Sequence, residues 1–232
     1  MLTKNRKIMI IIIIALVILA TCATLIIWKW NLNNKSLTYE EKVEAFALEN
    51  SKLTSGQIVF IGDSITAGYN LERNYSDLSL EVYNRGISGD TSDWMLTRMQ
   101  VSVLDIKPSK IVLMIGTNDI NGGKSPEEIA QNYENILSLI ALNLPDTEVF
   151  CVSVIPQNTK FSKNAAENNL LIQKTNEKIR GLVQEYGYEY VNLYDELVDA
   201  DGLLKRGYST DGLHLGRKGY DVWTRVMKPF LK

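Results

Sequence analysis

The chain has a single histidine, His214, and two cysteines, Cys22 and Cys151. One imidazole and two distant thiols leave no tetrahedral zinc set, so no metal is expected. Two cysteines make no disulfide framework. Cys151 lies in an apolar stretch and reads as a small core hydrophobe. The formal net charge is only −2 and no basic stripe is visible, so nucleic-acid binding has no electrostatic footprint. Neither G-x-G-x-x-G nor G-x-x-x-x-G-K-[ST] occurs, which removes the usual support for a nucleotide. No cofactor is expected. The G-x-S-x-G elbow of an α/β-hydrolase is absent at Ser64. Internal repeats and low-complexity segments are also missing.

One long hydrophobic run is present. Residues 8–28 carry no charge and are apolar apart from two threonines. A helix of roughly 20 such residues spans the roughly 30 Å of a bilayer core. Lys4, Arg6 and Lys7 precede it, so the positive-inside rule puts residues 1–7 in the cytoplasm and the rest outside. The expectation is a retained transmembrane anchor at 8–28, a polar stalk at 29–37 and a catalytic domain at 38–232. The alternatives are a cleaved signal peptide, with secretion of the rest, or lipidation at Cys22. The apolar run is longer than a signal peptide needs and lacks an A-x-A exit.

Beyond the stalk, apolar strand-like runs alternate with helical patterns. The strands expected are Gln57–Ile61, Leu80–Tyr83, Lys110–Ile115, Glu148–Ile155 and Tyr188–Leu193. The helices expected are Thr38–Leu53, Thr91–Leu104, Ser125–Leu142, Asn164–Tyr186 and Gly216–Leu231. Such alternation implies an α/β fold with one parallel sheet and helices on both faces. A sheet of that kind binds ligands beyond the carboxyl ends of its strands. Gly62-Asp63-Ser64, Asn84-Arg85-Gly86, Gly116-Thr117-Asn118-Asp119 and Asp211-Gly212-Leu213-His214 all fall at that edge.

A serine hydroxyl is a weak nucleophile and needs a base beside it. His214 is the one imidazole that can serve, and Asp211 is near enough in a tight turn to orient it. The Ser64 N–H, the Gly86 N–H and the Asn118 amide would then form an oxyanion hole.

These clusters resemble the blocks of the SGNH (GDSL-type) hydrolase superfamily. Gly62-Asp63-Ser64-Ile65-Thr66 is similar to the block that carries the nucleophile, and Asn84–Asp90 to the second block. Gly116–Asp119 resembles the third, and Asp211–His214 the last, with its aspartate and histidine. The match runs from about Ser55 to the C-terminus. The resemblance implies a flavodoxin-like three-layer fold with five parallel strands, and metal-free ester hydrolysis through an acyl-serine. Acetylhydrolase-like and carbohydrate-deacetylating members look nearest. The expected substrate is an acylated small molecule or glycan outside a membrane. A lysophospholipase, a thioesterase or a non-catalytic carbohydrate binder on the same fold are the alternatives.

Other residues have plainer readings. Asp63 is expected to bond loop N–H groups, and Asp119 to close a turn. Trp94 and Trp223 read as packing rather than a sugar platform. Tyr69 and Asn70 are candidates for the substrate mouth, and Arg85 for a substrate contact.

Overall fold

The computed structural model describes residues 37–232. The anchor expected at 8–28, the basic tail, Cys22 and the stalk up to residue 36 lie outside the described residues. Among the described residues no helix is long and apolar enough to cross a membrane. One compact unit runs from Tyr39 to Lys232.

Five parallel strands form its sheet: β1 (Ile58–Gly62), β2 (Val82–Gly86), β3 (Lys110–Met114), β4 (Glu148–Val152) and β5 (Glu189–Val191). They pair in the order β2-β1-β3-β4-β5. β1 is thus flanked by β2 on one side and β3 on the other, and the chain changes direction of winding there. The crevice outside the carboxyl ends of β1 and β3 is where such a topology admits a ligand.

The helices are α1 (Tyr39–Asn50), α2 (Ser64–Ala67), α3 (Leu71–Tyr75), α4 (Ser92–Met99), α5 (Thr117–Asn121), α6 (Pro126–Asn143), α7 (Ala165–Glu185), α8 (Tyr194–Leu197) and α9 (Arg217–Leu231). Strand side chains alternate between the two faces, and both faces are buried. Val59, Ile61, Ile111, Leu113 and Cys151 pack with Met95, Tyr133, Ile136 and Ile179 of α4, α6 and α7. Ile58, Phe60, Val112, Met114 and Val152 pack on the opposite face with Trp223, Met227 and Leu231 of α9. Those three residues recur every fourth position, which gives α9 one apolar stripe. Trp223 is wholly buried and packs as expected; Trp94 is half exposed, with its ring edge against Tyr39.

Several element limits move. β2 starts two residues later than expected and continues through Asn84 and Arg85. Polar residues fit there because each finds partners: Asn84 bonds the α2 end, and Arg85 bonds α1. β4 stops at Val152; the Ser153 N–H still reaches the Val191 carbonyl, but the groups beyond it leave the ladder. Ser153 Oγ accepts from the Leu193 and Tyr194 N–H groups, and the Val154 N–H donates to Asn176 Oδ1. The helix expected over Thr91–Leu104 is α4 followed by a π-helical turn at Gln100–Leu104. α6 begins as its sequence implies, with a capping box between Ser125 and Glu128 and Pro126 in the first turn.

Candidate active site

Ser64 is the first residue of α2, directly after β1. Asp63 caps that short helix, accepting the Ile65 N–H at 2.9 Å. The Ser64 N–H, at the first helical position, has no intrahelical acceptor. Ser64 Oγ lies 2.9 Å from His214 Nε2. On the other side of the ring, His214 Nδ1 lies 2.7 Å from Asp211 Oδ2. The three side chains form one line, on segments 150 residues apart in the chain.

Asp211 is tightly held. Its Oδ1 accepts the Leu213 and His214 N–H groups at 2.9 and 2.8 Å. Desolvation raises its pKa, but the His214 side chain and those two N–H groups outweigh it and hold the carboxyl well below the usual range. It therefore stays charged across neutral pH. Its partner must then carry its proton on Nδ1, leaving Nε2 to accept from Ser64.

Asn118 sits on α5, just past β3, half buried. Its amide donates one hydrogen to the Asp90 carbonyl at 2.8 Å, which leaves the second for another acceptor.

Gly86 requires a correction. Its N–H donates to Asn84 Oδ1 at 2.9 Å, so it is not free for an oxyanion. Its lack of a side chain serves packing, since a Cβ would meet the Ala67 nitrogen at 2.2 Å. Gly89, three residues on, has φ +81° and open space where a Cβ would stand. Among the described residues its N–H has no acceptor. The signal in the sequence was the glycine immediately before Asp90 and the α4 cap Thr91.

Three further residues, expected to line the substrate mouth or to touch substrate, are held by other partners. Tyr69 is buried, with its hydroxyl 2.9 Å from that of Tyr75 and 2.7 Å from Thr224 Oγ1. It stacks on Tyr220 and Trp223 and belongs to the core. Asn70 is the cap of α3, accepting the Arg73 N–H at 2.9 Å. Arg85 is 2% exposed, bonds Glu49 at 2.5 Å and Asn50 at 3.0 Å, and covers the Phe46 ring. It fastens α1 to the sheet rather than meeting a substrate.

The sequence reading also missed Arg98. Fully buried on α4, it bonds Asp90 Oδ2 at 2.5 Å, the Arg85 carbonyl at 2.9 Å and the Gly62 carbonyl at 3.1 Å. The loop carrying Gly89 is thereby held from the β1 end, from β2 and from Asn118. Asp119, expected to close a turn, instead takes the Ser92 N–H and hydroxyl and so ties α5 to the start of α4. Asp63 keeps one oxygen buried and unpartnered. Burial pushes its carboxyl up to about 7, against the pull of the Ile65 N–H.

The GDSL-like lipase/acylhydrolase family model matches residues 60–222. The chain is 34% identical over 179 residues to platelet-activating factor acetylhydrolase IB subunit alpha2 of Gallus gallus, covering 74% of this chain and 73% of that one. The Homo sapiens protein of the same name is 30% identical over the same span. Among solved structures, one from Streptococcus pneumonia named for platelet activating factor is 30% identical, with a TM-score of 0.77 over 91% of this chain and 99% of that one. A GDSL-like lipase from Bacteroides thetaiotaomicron is 27% identical, with a TM-score of 0.70 over 82% and 96%. The chain belongs to the GDSL-like lipase/acylhydrolase family.

Proposed function

We propose that this carboxylic ester hydrolase removes acetyl or other short acyl groups from an acylated small molecule or glycan, with Ser64 as nucleophile. The observation that carries the reading is the unbroken line from Asp211 through His214 to Ser64, at 2.7 and 2.9 Å. His214 Nε2 takes the Ser64 proton as Oγ attacks the ester carbonyl. The tetrahedral oxyanion is held by the Ser64 N–H, the second Asn118 amide hydrogen and the Gly89 N–H, which replaces Gly86 in this role. His214 then protonates the departing alcohol, leaving an acyl-serine. A water, deprotonated by the same ring, attacks the acyl carbonyl, and the released proton returns to Ser64. Asp211 never takes a proton; it fixes the ring and stabilises its charged form.

Two observations support a short acyl group. The Ser64–His214 pair lies at an exposed surface, which suits a small acyl group, whereas a long chain needs an apolar trench. The acetylhydrolases named above remove an acetyl group by their name. The membrane reading rests on the charge-free run at 8–28, which would tether the domain outside the membrane.

Turnover of p-nitrophenyl acetate by the full chain tests the assignment. Ser64→Ala and His214→Ala should each lower kcat by about 10⁴–10⁶. Undiminished turnover by purified Ser64→Ala protein would remove the nucleophile assignment.

A further inference from the structure

Several cavities open on the described surface, and some lie far from the chemistry. One is bounded by Pro145–Phe150 and by 186–189, at the amino ends of β4 and β5. Another, along 71–83, lies at the amino end of β2. A third, of about 390 Å³, is walled by Ser209 and Gly212 and so adjoins the turn that carries Asp211 and His214. Ser209, Asp211, His214 and Ser64 form one chain of contacts, at 3.1, 2.7 and 2.9 Å, from that wall to the reacting hydroxyl.

The rest of the wall joins a firm floor to two cations. Leu204 is buried. Asn158 is fixed: its amide donates to the Leu204 carbonyl at 2.7 Å, and its N–H to the Gly212 carbonyl at 2.8 Å. Lys160 comes from a loop and Arg206 from the start of a 3-10 turn, and both are exposed. Arg73, Arg85, Arg98, Lys110, Lys124 and Arg225 are all ion-paired. The Lys160 and Arg206 side chains have no ion pair or hydrogen bond among the described residues. No carboxylate lines the cavity. The nearby Asp211 carboxylate is already committed to His214, two N–H groups and Ser209.

We propose that this cavity holds the anionic group, a carboxylate or a phosphate, of the alcohol part of the ester. The enzyme thereby selects negatively charged acylated substrates. The inference rests on the ester-hydrolase reading and narrows it. A short acyl group carries no charge, so the anion must belong to the alcohol. Guanidinium and ammonium groups left unpaired beside a cavity are the donors such an oxyanion needs, and the apolar floor at Leu204 accommodates the carbon skeleton that bears it.

Three acetate esters test this on the full chain: phenyl acetate, 4-acetoxybenzoate and 4-acetoxyphenyl phosphate. The wild type should show a kcat/KM for one or both anionic esters about tenfold above phenyl acetate, mostly through KM. The larger of the two effects identifies carboxylate or phosphate. In Lys160→Gln/Arg206→Gln that preference should vanish while phenyl acetate turnover stays unchanged. Added salt should shrink the preference in the wild type alone. Equal rates on all three esters, or a preference that survives in the double variant, would overturn the anion subsite and leave the esterase standing. If no ester is turned over, the esterase reading fails, and titration calorimetry with benzoate and inorganic phosphate reads the cavity directly. Binding lost in the double variant supports the site; no binding to the wild type overturns it.

Discussion

Gly86 ends β2 and Gly89 stands in the loop that follows, and the two answer to different constraints. At Gly86 an added methyl would meet the Ala67 nitrogen at 2.2 Å, so Gly86→Ala should lower thermal stability by about 1–3 kcal/mol. At Gly89 there is room, but φ is +81°, which costs an L-residue only about 1–2 kcal/mol. Gly89→Ala should therefore keep the fold and lower kcat by tilting an oxyanion donor. Melting curves and kcat for the two variants separate the roles, and a folded Gly89→Ala enzyme with wild-type kcat would remove Gly89 from the oxyanion hole. Asn118→Ala should cost about 10²–10³ in kcat with little change in KM, measured on the same ester. The contact line through Ser64, His214 and Asp211 was legible because the chain has one histidine and a serine just past the first strand. Tyr69, Asn70 and Arg85 were not, because residue type reveals neither burial nor the partner a polar atom will find. Tyr69 sits five residues past Ser64 yet turns its ring into the aromatic cluster under α9.

α4 ties the catalytic loop to the sheet, and Arg98 is the link. Arg98 and Asp90 are both nine-tenths or more buried, and the guanidinium also spans carbonyls on β1 and β2. Removing the cation leaves a buried carboxylate alone, which costs about 3–5 kcal/mol. For a domain of this size that lowers the melting temperature by about 10 °C. Arg98→Met should show that loss, and adding Asp90→Asn should recover part of it. Additive losses in the double variant would mean that the pair does not act as a unit. The five strands and the long helices were readable from apolar runs and capping residues. The short helices α2, α3, α5 and α8 were not, since four or five residues carry no period. β2 was read as ending before Asn84 because polar residues look like loop until Glu49 and the α2 carbonyls are known to meet them.

Across the whole molecule, two carboxylates pull the pH dependence of stability in opposite directions. Asp211 is held below its ordinary range, so its contribution is present above about pH 4 and lost as pH falls through the lowered value. Asp63 is raised to about 7, so the folded protein binds that proton more tightly than the unfolded chain. Its contribution is complete below about pH 4 and is lost as pH rises through 7. Asp63→Asn keeps an oxygen for the Ile65 N–H and removes the titration. Relative to wild type, the variant should gain stability between pH 5 and pH 8, by an amount of order 1–4 kcal/mol. Parallel melting-temperature profiles for the two proteins would remove Asp63 from the account. The α/β architecture followed from alternation alone, whereas the placement of the loops over the β1–β3 crevice needed coordinates.

In the proposed mechanism His214 activates Ser64 for attack on an acyl carbon. A fluorophosphonate reacts only with a serine so activated, and peptide mapping by mass spectrometry locates the adduct. A single adduct on Ser64 is expected in the wild type, and none at that position in His214→Ala protein that remains folded. An adduct on another serine, or equal labelling of Ser64 without His214, would contradict that mechanism.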